Sequence, residues 1–590
     1  MVRSKVEKLF QKSKLALIVI LILSSFLRLW RISDVPVSLF GDELDVGYHS
    51  YSILKTGKDY QGNFMPLHFH SIAEWRTPLY LYFAVPTVAL FGITPLGVRL
   101  PAAIFGIIGV WGIYLLTKEI LKISNFDKLS SFKGLKLGVL TSFLLAISPW
   151  HIQYSRAAFE VTQLLAFLIF GLYFFFKSLE KSKYLWVSVT FFTFTPWIYS
   201  TAKLFAPLFI TFLFLIWKNQ ILKMSRFEIG KAVLAGVLVG FPIYYSTFFG
   251  QGAQRAVYTS IFTDPTVEPE IGVARMVDNI MRGDMIVGYK PSLWDRIFHN
   301  KVVFWVDGIV KNYLQSLSFS FLFEDGDPNL RHSIKGMGQF YKVEVIGFVL
   351  GVFFFFSSKI DRKLKYLFAF WILAGILPAA LTRDGGNHAT RLIIILPPLI
   401  FLISYGIVET ATRLKNKLGL IFLASFFLLL TTNFIFYQHI YWIHNPWDSE
   451  RWWHAGFKDL IQSIKELEKD YDKVVISMAG EPAWIFFAGW YQYPPDKWQK
   501  NFPIGNDVEL KGFGKVSHIE NYYFGNFNVP GESLYDLPKY IDRRTLYLSV
   551  AKEISVNLLR EPERVPPGLE LLKSIPYPSG EPAFYIFKKE

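Results

Sequence analysis

The chain has 590 residues, 52% of them hydrophobic and 18% aromatic, with a formal net charge of +15. Its apolar residues come in long blocks separated by basic turns, which excludes an ordinary soluble protein and assigns the cationic excess to membrane topology, with no nucleic-acid partner. With no cysteine in the sequence, disulfides, thiolate metal sites and a thiol nucleophile are excluded too.

The first apolar block, Leu15 to Trp30, follows Arg3, Lys5, Lys8, Lys12 and Lys14. Such a flank stays in the cytoplasm, and no small-residue cleavage site follows, so the block reads as a retained anchor with a cytoplasmic N-terminus. Directly after it stand Phe40-Gly41-Asp42-Glu43-Leu44, two carboxylates at the outer mouth of the membrane. Acids there are costly unless solvated or paired, which makes them candidates for function. The bland alternative is a solvated loop whose acids cap a helix beginning near Asp45.

The next apolar stretch, Pro78 to Gly92, is short of the roughly 20 residues needed to cross. If it crossed, the span after it, Gly97 to Thr117, would leave Lys118, Lys122, Lys128, Lys133 and Lys136 outside, against the positive-inside rule. It is therefore placed as an interfacial amphipathic helix. The later blocks then alternate as Leu137 to Ser148 outward, Val161 to Phe176 inward, Tyr184 to Tyr199 outward, Leu204 to Trp217 inward and Lys231 to Phe249 outward. A long outer segment, Gly250 to Tyr341, has amphipathic stretches and reads as a lid over a cleft. After it come Val343 to Ser357, Leu367 to Leu381, Leu392 to Val408 and Leu418 to Phe436, with the basic turns inside.

The expected architecture is a polytopic α-helical membrane protein of about 11 spans with interfacial helices. The membrane domain covers residues 1–436 with outer loops 33–96 and 250–341, and a C-terminal extracytoplasmic α/β or α+β domain covers 437–590. In that domain the pattern predicts a helix from Phe457 to Lys469 and strands at Lys473 to Ser477, Thr545 to Val550 and Ala583 to Lys588.

Under this topology polar groups distant in sequence converge outside: Asp42 and Glu43; Glu74 and Arg76; His151, Arg156 and Glu160; Lys203; Arg331 and His332; Arg383, Asp384, His388 and Arg391. Acids among cations suit glycosyl transfer from a lipid phosphate, in which a carboxylate takes the acceptor's proton and cations hold the departing phosphate. Each has a structural alternative. Glu160 can pair with Arg156 at i, i+4, Lys203 can snorkel to the interface, and the histidines can be hydrogen-bonded loop residues. No His and acid group has tight ligand spacing, so no metal site is assigned and no cofactor is required, although a carboxylate cluster can recruit a divalent ion.

The order of these features resembles the membrane glycosyltransferases of the GT-C superfamily, in particular the protein O-mannosyltransferase and lipid A aminoarabinose transferase branch, glycosyltransferase family 39 and its relatives. Gly41-Asp42-Glu43 with Tyr48 and Gly57 resembles the family's first outer-loop motif. Glu74-Trp75-Arg76-Thr77-Pro78-Leu79-Tyr80 resembles its acidic-basic-proline motif, Phe91-Gly92 to Arg99-Leu100-Pro101 the segment that follows, and Ser148-Pro149 through Ser155-Arg156 to Glu160 the next outer loop. The likeness is best over about residues 15 to 220. Glu160 stands where relatives usually have Asp, and Arg76 near where they often carry Lys followed by Pro.

The resemblance implies an inverting transferase, multi-pass in the cytoplasmic membrane. It would move a sugar from a polyprenyl-phosphate donor to a lipid, glycan or protein acceptor. Asp42 would be the general base, Glu43 an auxiliary acid and Glu160 an orienting group, with Arg76, Lys203, Arg331 and His332 on the donor phosphate. Glu74, His151, Arg156, Arg383 and His388 would be further cleft residues. Trp452-Trp453-His454-Ala455-Gly456 is similar to the double-tryptophan motif of oligosaccharyltransferase catalytic subunits, with His454 replacing its Asp; the plainer reading puts Trp442, Trp447, Trp452 and Trp453 in an interfacial belt. A flippase or transporter of a polyprenyl-linked or anionic substrate, or a noncatalytic assembly partner, is the alternative from another class.

Overall fold

Apolar blocks of this length fold as helices because lipid offers no partner to an exposed backbone donor or acceptor. The computed structural model describes residues 2–72, 74–123, 131–283, 290–414, 416–501 and 505–590, with side chains from residue 13 onward and not those of 131–136. Lys128, and the side chains of Arg3, Lys5, Lys8, Lys12, Lys133 and Lys136, lie outside the described residues.

Among the described residues, 7 helices are long and apolar enough to cross a membrane: Pro95–Ile123, Val161–Glu180, Ala202–Ile221, Arg226–Phe249, Arg362–Ala380, Ala389–Leu414 and Asn416–Asp448. The protein is thus multi-pass, but the expected count of about 11 is not reached by length and composition. The other four blocks are also helical. Leu15 to Trp30 falls in Val2–Leu29 up to its last residue, and the rest lie, apart from end residues, in Ser131–Ile147, Leu185–Ile198 and Glu344–Ser357, of 17, 14 and 14 residues. Local stereochemistry shortens these three: Pro149 starts a new helix, and the chain turns extended at Tyr199 and Ser358. Leu79–Phe91 has 13 residues, short of the roughly 20 needed to cross; it ends at Gly92, whose φ of +71° suits glycine.

The bundle has two unlike ends. Helix Pro95–Ile123 carries Arg99 at its start, paired to Glu43, and Lys122 at its finish, paired to Glu180. Near Lys122, Lys177 approaches Glu119. The acids and cations expected in a cleft lie toward the Arg99 end.

The described residues of 250–341 are mostly helical: Gln254–Thr259, Val267–Met281, Leu293–Phe298 and Lys301–Ser316, then a π-helical turn at Ser320–Glu324. Val273, Met276, Val277 and Ile280 are exposed along one side of the second, and Val302, Val306 and Val310 along the fourth, the spacing of amphipathic faces.

The C-terminal region folds on a seven-stranded mixed sheet. Its strands in chain order are Lys473–Ile476, Asp507–Leu510, Gly514–Ile519, Tyr522–Phe524, Thr545–Val550, Leu569–Pro576 and Pro582–Lys589. Lys473–Ile476 lies at the centre, parallel to both Tyr522–Phe524 and Thr545–Val550, and the outer pairings are antiparallel. The helix expected from Phe457 spans Phe457–Leu467. The apolar core of this region runs on into residues 39–102: Leu44, Tyr48, Tyr60 and Tyr80 share one cluster with Phe457, Phe486, Trp498 and Ile586. Helix Gly41–Thr56 packs on Ala483–Tyr491, Tyr48 donates to the Tyr493 carbonyl at 2.9 Å, and Gln499 donates to Ser52, Thr56 and the Asp59 carbonyl. The segment expected as an outer loop is therefore part of the C-terminal region's core.

Candidate active site

Helix Gly41–Thr56 starts at Gly41, four residues before the expected start, so Asp42 and Glu43 sit in its first turn, where the helix dipole favours acids. Each residue turns an α-helix by about 100°. Asp42 and Asp45 therefore share a face and Glu43 points away from both.

That rotation separates the two adjacent acids. Glu43 is fully buried, accepts from Arg99 Nε and Nη2 at 2.8 Å each, and takes the Ala158 N–H at 2.8 Å. Arg99 also donates to the carbonyls of Ile32, Pro36 and Ser38. Glu43 is thus held as the buried counter-ion of Arg99, turned away from Asp42 and not beside it as expected. Asp42 is half-buried, and its carboxylate accepts no hydrogen bond and makes no ion pair among the described residues.

Arg76 ties the acids together. It donates to the Asp42 carbonyl at 3.0 Å, lies 3.4 Å from Asp45 Oδ2, and lies 3.7 Å from Glu160 Oε2. A β-bridge between Trp75–Arg76 and Phe69–His70 sets its backbone. Against the pull of burial, the charges of Asp42, Glu160, Asp45 and Glu74 hold the Arg76 guanidinium above its ordinary pKa. Arg76 is 5% exposed and lies among acids. Asp45, which the sequence reading treated only as a helix start, is fully buried and accepts from the Tyr60 hydroxyl at 2.7 Å. Burial raises its pKa to about 6 although Arg76 and Tyr60 oppose the shift. Burial likewise raises Glu160, against Arg76.

Because Asp45 holds its proton more tightly in the folded protein than in the unfolded chain, its contribution favours the fold below about pH 4 and is lost as pH rises through 6. Melting curves of Asp45→Asn should lack this part of the wild-type decline between those values. Parallel curves for the two proteins would show that Asp45 does not titrate there.

Among the other expected cations, Arg331, Arg383 and Arg391 have acid partners. Arg255, absent from the expected set, meets Glu74 at 2.9 Å and lies over the Tyr199 ring at 5.5 Å. Arg391 meets Asp384 at 2.6 Å, Arg331 meets Glu481 at 2.9 Å, and Arg383 approaches Asp264 at 3.5 Å, away from the acids. Lys203 differs. Its ammonium donates to His68 Nε2 and to the Gly252 carbonyl, both at 2.9 Å, so its partners are neutral. Burial and Lys203 lower the His68 pKa to about 3, so its ring stays uncharged. Arg255 follows Gly252 by three residues and feels Glu74, Glu160 and Arg76, which joins Lys203 to the acid group.

Two expected cleft residues are elsewhere. Arg156 is fully buried and donates to the carbonyls of Leu27, Arg31 and Val35 and to the Tyr441 hydroxyl, with no contact to Glu160. His151 is fully buried and accepts from Arg28. Nor is Trp453 interfacial: it is fully buried, with the Phe40 ring edge-on at 5.2 Å and Arg99 at 5.5 Å.

The C-terminal region supplies a residue that the sequence reading missed. Glu481 accepts the Gly41 N–H at 3.0 Å and Arg331 Nη1 at 2.9 Å, and His454 Nδ1 lies 3.9 Å away. Burial and then the charge of Asp42 raise the Glu481 pKa, with Arg331 opposing. A cleft of about 250 Å³ lined by Arg331, Arg451, Trp452, His454, Gly480 and Glu481 adjoins this junction. Gly41 permits it: a Cβ there would stand 2.0 Å from Glu481 Oε2 and 3.1 Å from Ile72 Cδ1. Gly41→Ala should therefore expel the Glu481 carboxylate and lower the melting temperature. A variant that melts like wild type and retains turnover would show that this contact is dispensable.

Asp327, His332 and His388 also meet, with one donor atom from each within 4.8 Å of the others. These are the described residues with which the fold can hold a metal.

Residues 75–245 match the family described as Dolichyl-phosphate-mannose-protein mannosyltransferase. The resemblance to this glycosyltransferase family therefore holds over a segment that includes Arg76, Glu160 and Lys203. No curated protein matches the chain. Among solved structures, the archaeal oligosaccharyltransferase AglB from Archaeoglobus fulgidus, in complex with an inhibitory peptide and a dolichol-phosphate, is 14% identical, with TM-score 0.46 over 82% of this chain and 64% of its own. ArnT from Cupriavidus metallidurans, bound to undecaprenyl phosphate, is 8% identical, with TM-score 0.47 over 99% of this chain and 98% of its own. The chain spans less than two thirds of the AglB length.

Proposed function

We propose, on the premise that residues 75–245 are a glycosyltransferase segment of the mannosyltransferase family, that the chain moves a sugar from a polyprenyl-phosphate donor to a lipid, glycan or protein acceptor. The reaction inverts the anomeric centre and takes place at the outer face of the cytoplasmic membrane, with the N-terminus inside and the C-terminal region outside. The observation that carries this reading is the half-buried Asp42 carboxylate, with no hydrogen-bond or ion-pair partner among the described residues, at a junction where Arg76 holds its carbonyl and two further acids.

In the proposed step Asp42 takes the proton of the acceptor hydroxyl or amine as that atom bonds to the anomeric carbon. The bond from that carbon to the phosphate oxygen breaks, and polyprenyl phosphate leaves with the electron pair. Lys203, the expected clamp whose partners are neutral, meets the developing phosphate charge. Glu160 and Asp45 fix Arg76, and through it the Asp42 backbone. The basic turns near Lys122 and Lys177, at the far end from Asp42, support the orientation.

The test is transfer of radiolabelled sugar from a panel of polyprenyl-phosphate donors to membrane extract by the purified protein in nanodiscs, with the product's anomeric configuration read out. Transfer with inversion supports the reading. No transfer across the panel, together with donor translocation in liposomes, would favour the flippase. Lys203→Ala should weaken donor binding by about 10 to 100-fold, as expected for a lost charged hydrogen bond, and leave acceptor binding unchanged. Equal donor affinity would return Lys203 to a snorkelling role.

A further inference from the structure

We propose that Asp327, His332 and His388 form a site for a divalent transition-metal ion, independent of the transferase reading. The donors come from two segments. Asp327 and His332 follow the π-helical turn Ser320–Glu324, and His388 immediately precedes helix Ala389–Leu414. One donor atom of each lies within 4.8 Å of the others. Two nitrogens and a carboxylate oxygen are a donor set that suits zinc, iron or manganese better than magnesium or calcium.

The surroundings are those of a built site. Asp327 is 4% exposed, and its carboxylate is aimed by the N–H groups of Asn329 at 2.9 Å and Ala389 at 2.8 Å. The Ala389 contact ties the two segments together. His332 Nδ1 lies 3.1 Å from Asp327 Oδ2, and its ring stacks on Tyr154 at 6.1 Å and meets Phe159 edge-on at 5.5 Å. Tyr154 is itself fixed to Thr390 by a 2.7 Å hydrogen bond. Such supporting contacts hold ligands in place around bound metals.

His388 supplies the independent sign. Its Nδ1 is buried and has no hydrogen-bond partner among the described residues, and buried polar atoms rarely go unsatisfied without an ion, a water or a functional reason. The nearby cations do not leave the site with a free positive field, because Arg391 is paired to Asp384 at 2.6 Å and Arg255 to Glu74 at 2.9 Å. In tetrahedral geometry two ligands of one zinc ion lie about 3.4 Å apart, since each bond is about 2.1 Å. Donors that stand up to 4.8 Å apart therefore close by up to about 1.4 Å on binding, which rotations of the two imidazole rings supply.

The probe is the metal itself. Full-length protein in detergent, stripped with a chelator and dialysed, is titrated with zinc and manganese by calorimetry and with cobalt by visible absorption. We expect one equivalent bound, with a cobalt spectrum of nitrogen and oxygen ligation. His332→Gln and His388→Gln should each weaken binding by about 100-fold or more, beyond the loss seen for supporting residues. His299→Gln, which breaks another histidine and acid contact at Asp278, should bind like wild type. No stoichiometric binding by wild type, or binding that survives the double substitution of His332 and His388, overturns the proposal. If either variant fails to fold, X-ray absorption at the zinc edge of the wild type decides: two histidine nitrogens in the shell uphold the site, and none or one overturns it.

Discussion

Asp42→Asn is expected to lower turnover by about 10² to 10⁴-fold, the usual contribution of a general base, while the protein melts as wild type does. The side chain keeps its volume, and the carboxylate has no hydrogen-bond or ion-pair partner among the described residues to lose. Donor affinity should also be unchanged, because the base meets the acceptor and not the phosphate. Single-turnover transfer and a melting curve on the same preparation separate the possibilities. Wild-type turnover would remove Asp42 from the chemistry, and a collapsed melting curve would make it a structural acid.

The neighbouring acid should behave in the opposite way. Glu43→Ala leaves Arg99 buried with no counter-ion, in a pair where both side chains are fully buried and 2.8 Å apart. Breaking such a pair costs about 3 to 5 kcal/mol, enough to lower expression and melting temperature sharply. Replacing both members, as in Glu43→Leu with Arg99→Met, should recover part of the loss because no charge is then stranded. Thermal melting of the single and double variants checks this. A stable but inactive Glu43→Ala would restore the auxiliary-acid role.

The contrast between Asp42 and Glu43 marks the limit of a motif. Two adjacent acids read as one site in the chain, but on a helix they point about 100° apart, and only Asp42 and Asp45 share a face. Asp45 was overlooked because a buried acid three residues on has no distinguishing signal until Arg76 and Tyr60 close around it. Arg156 and Glu160 illustrate the same limit, since their i, i+4 spacing suggests a pair on a continuous helix. Here the helix stops at Ser155 and another starts at Val161, and the break sends Arg156 to backbone carbonyls and Glu160 to Arg76.

What the sequence by itself determined was whatever depends on local composition and order. The multi-pass character follows from the length of the apolar blocks, the short helix Leu79–Phe91 from a short apolar run, and the strands Lys473–Ile476 and Thr545–Val550 from their β-branched and aromatic content. The glycosyltransferase resemblance likewise rested on motifs in linear order. Tertiary structure alone decided which charges meet. Glu481 reaches Gly41 across 440 positions of sequence, and His388 joins Asp327 and His332 from a separate segment. It also decided that residues 39–102 share a core with the C-terminal region. Pairing and burial are long-range: a charge takes whatever partner the packed helices place within a few ångströms, because an unpaired charge in a low-dielectric interior is too costly to keep, and no local pattern encodes that neighbour.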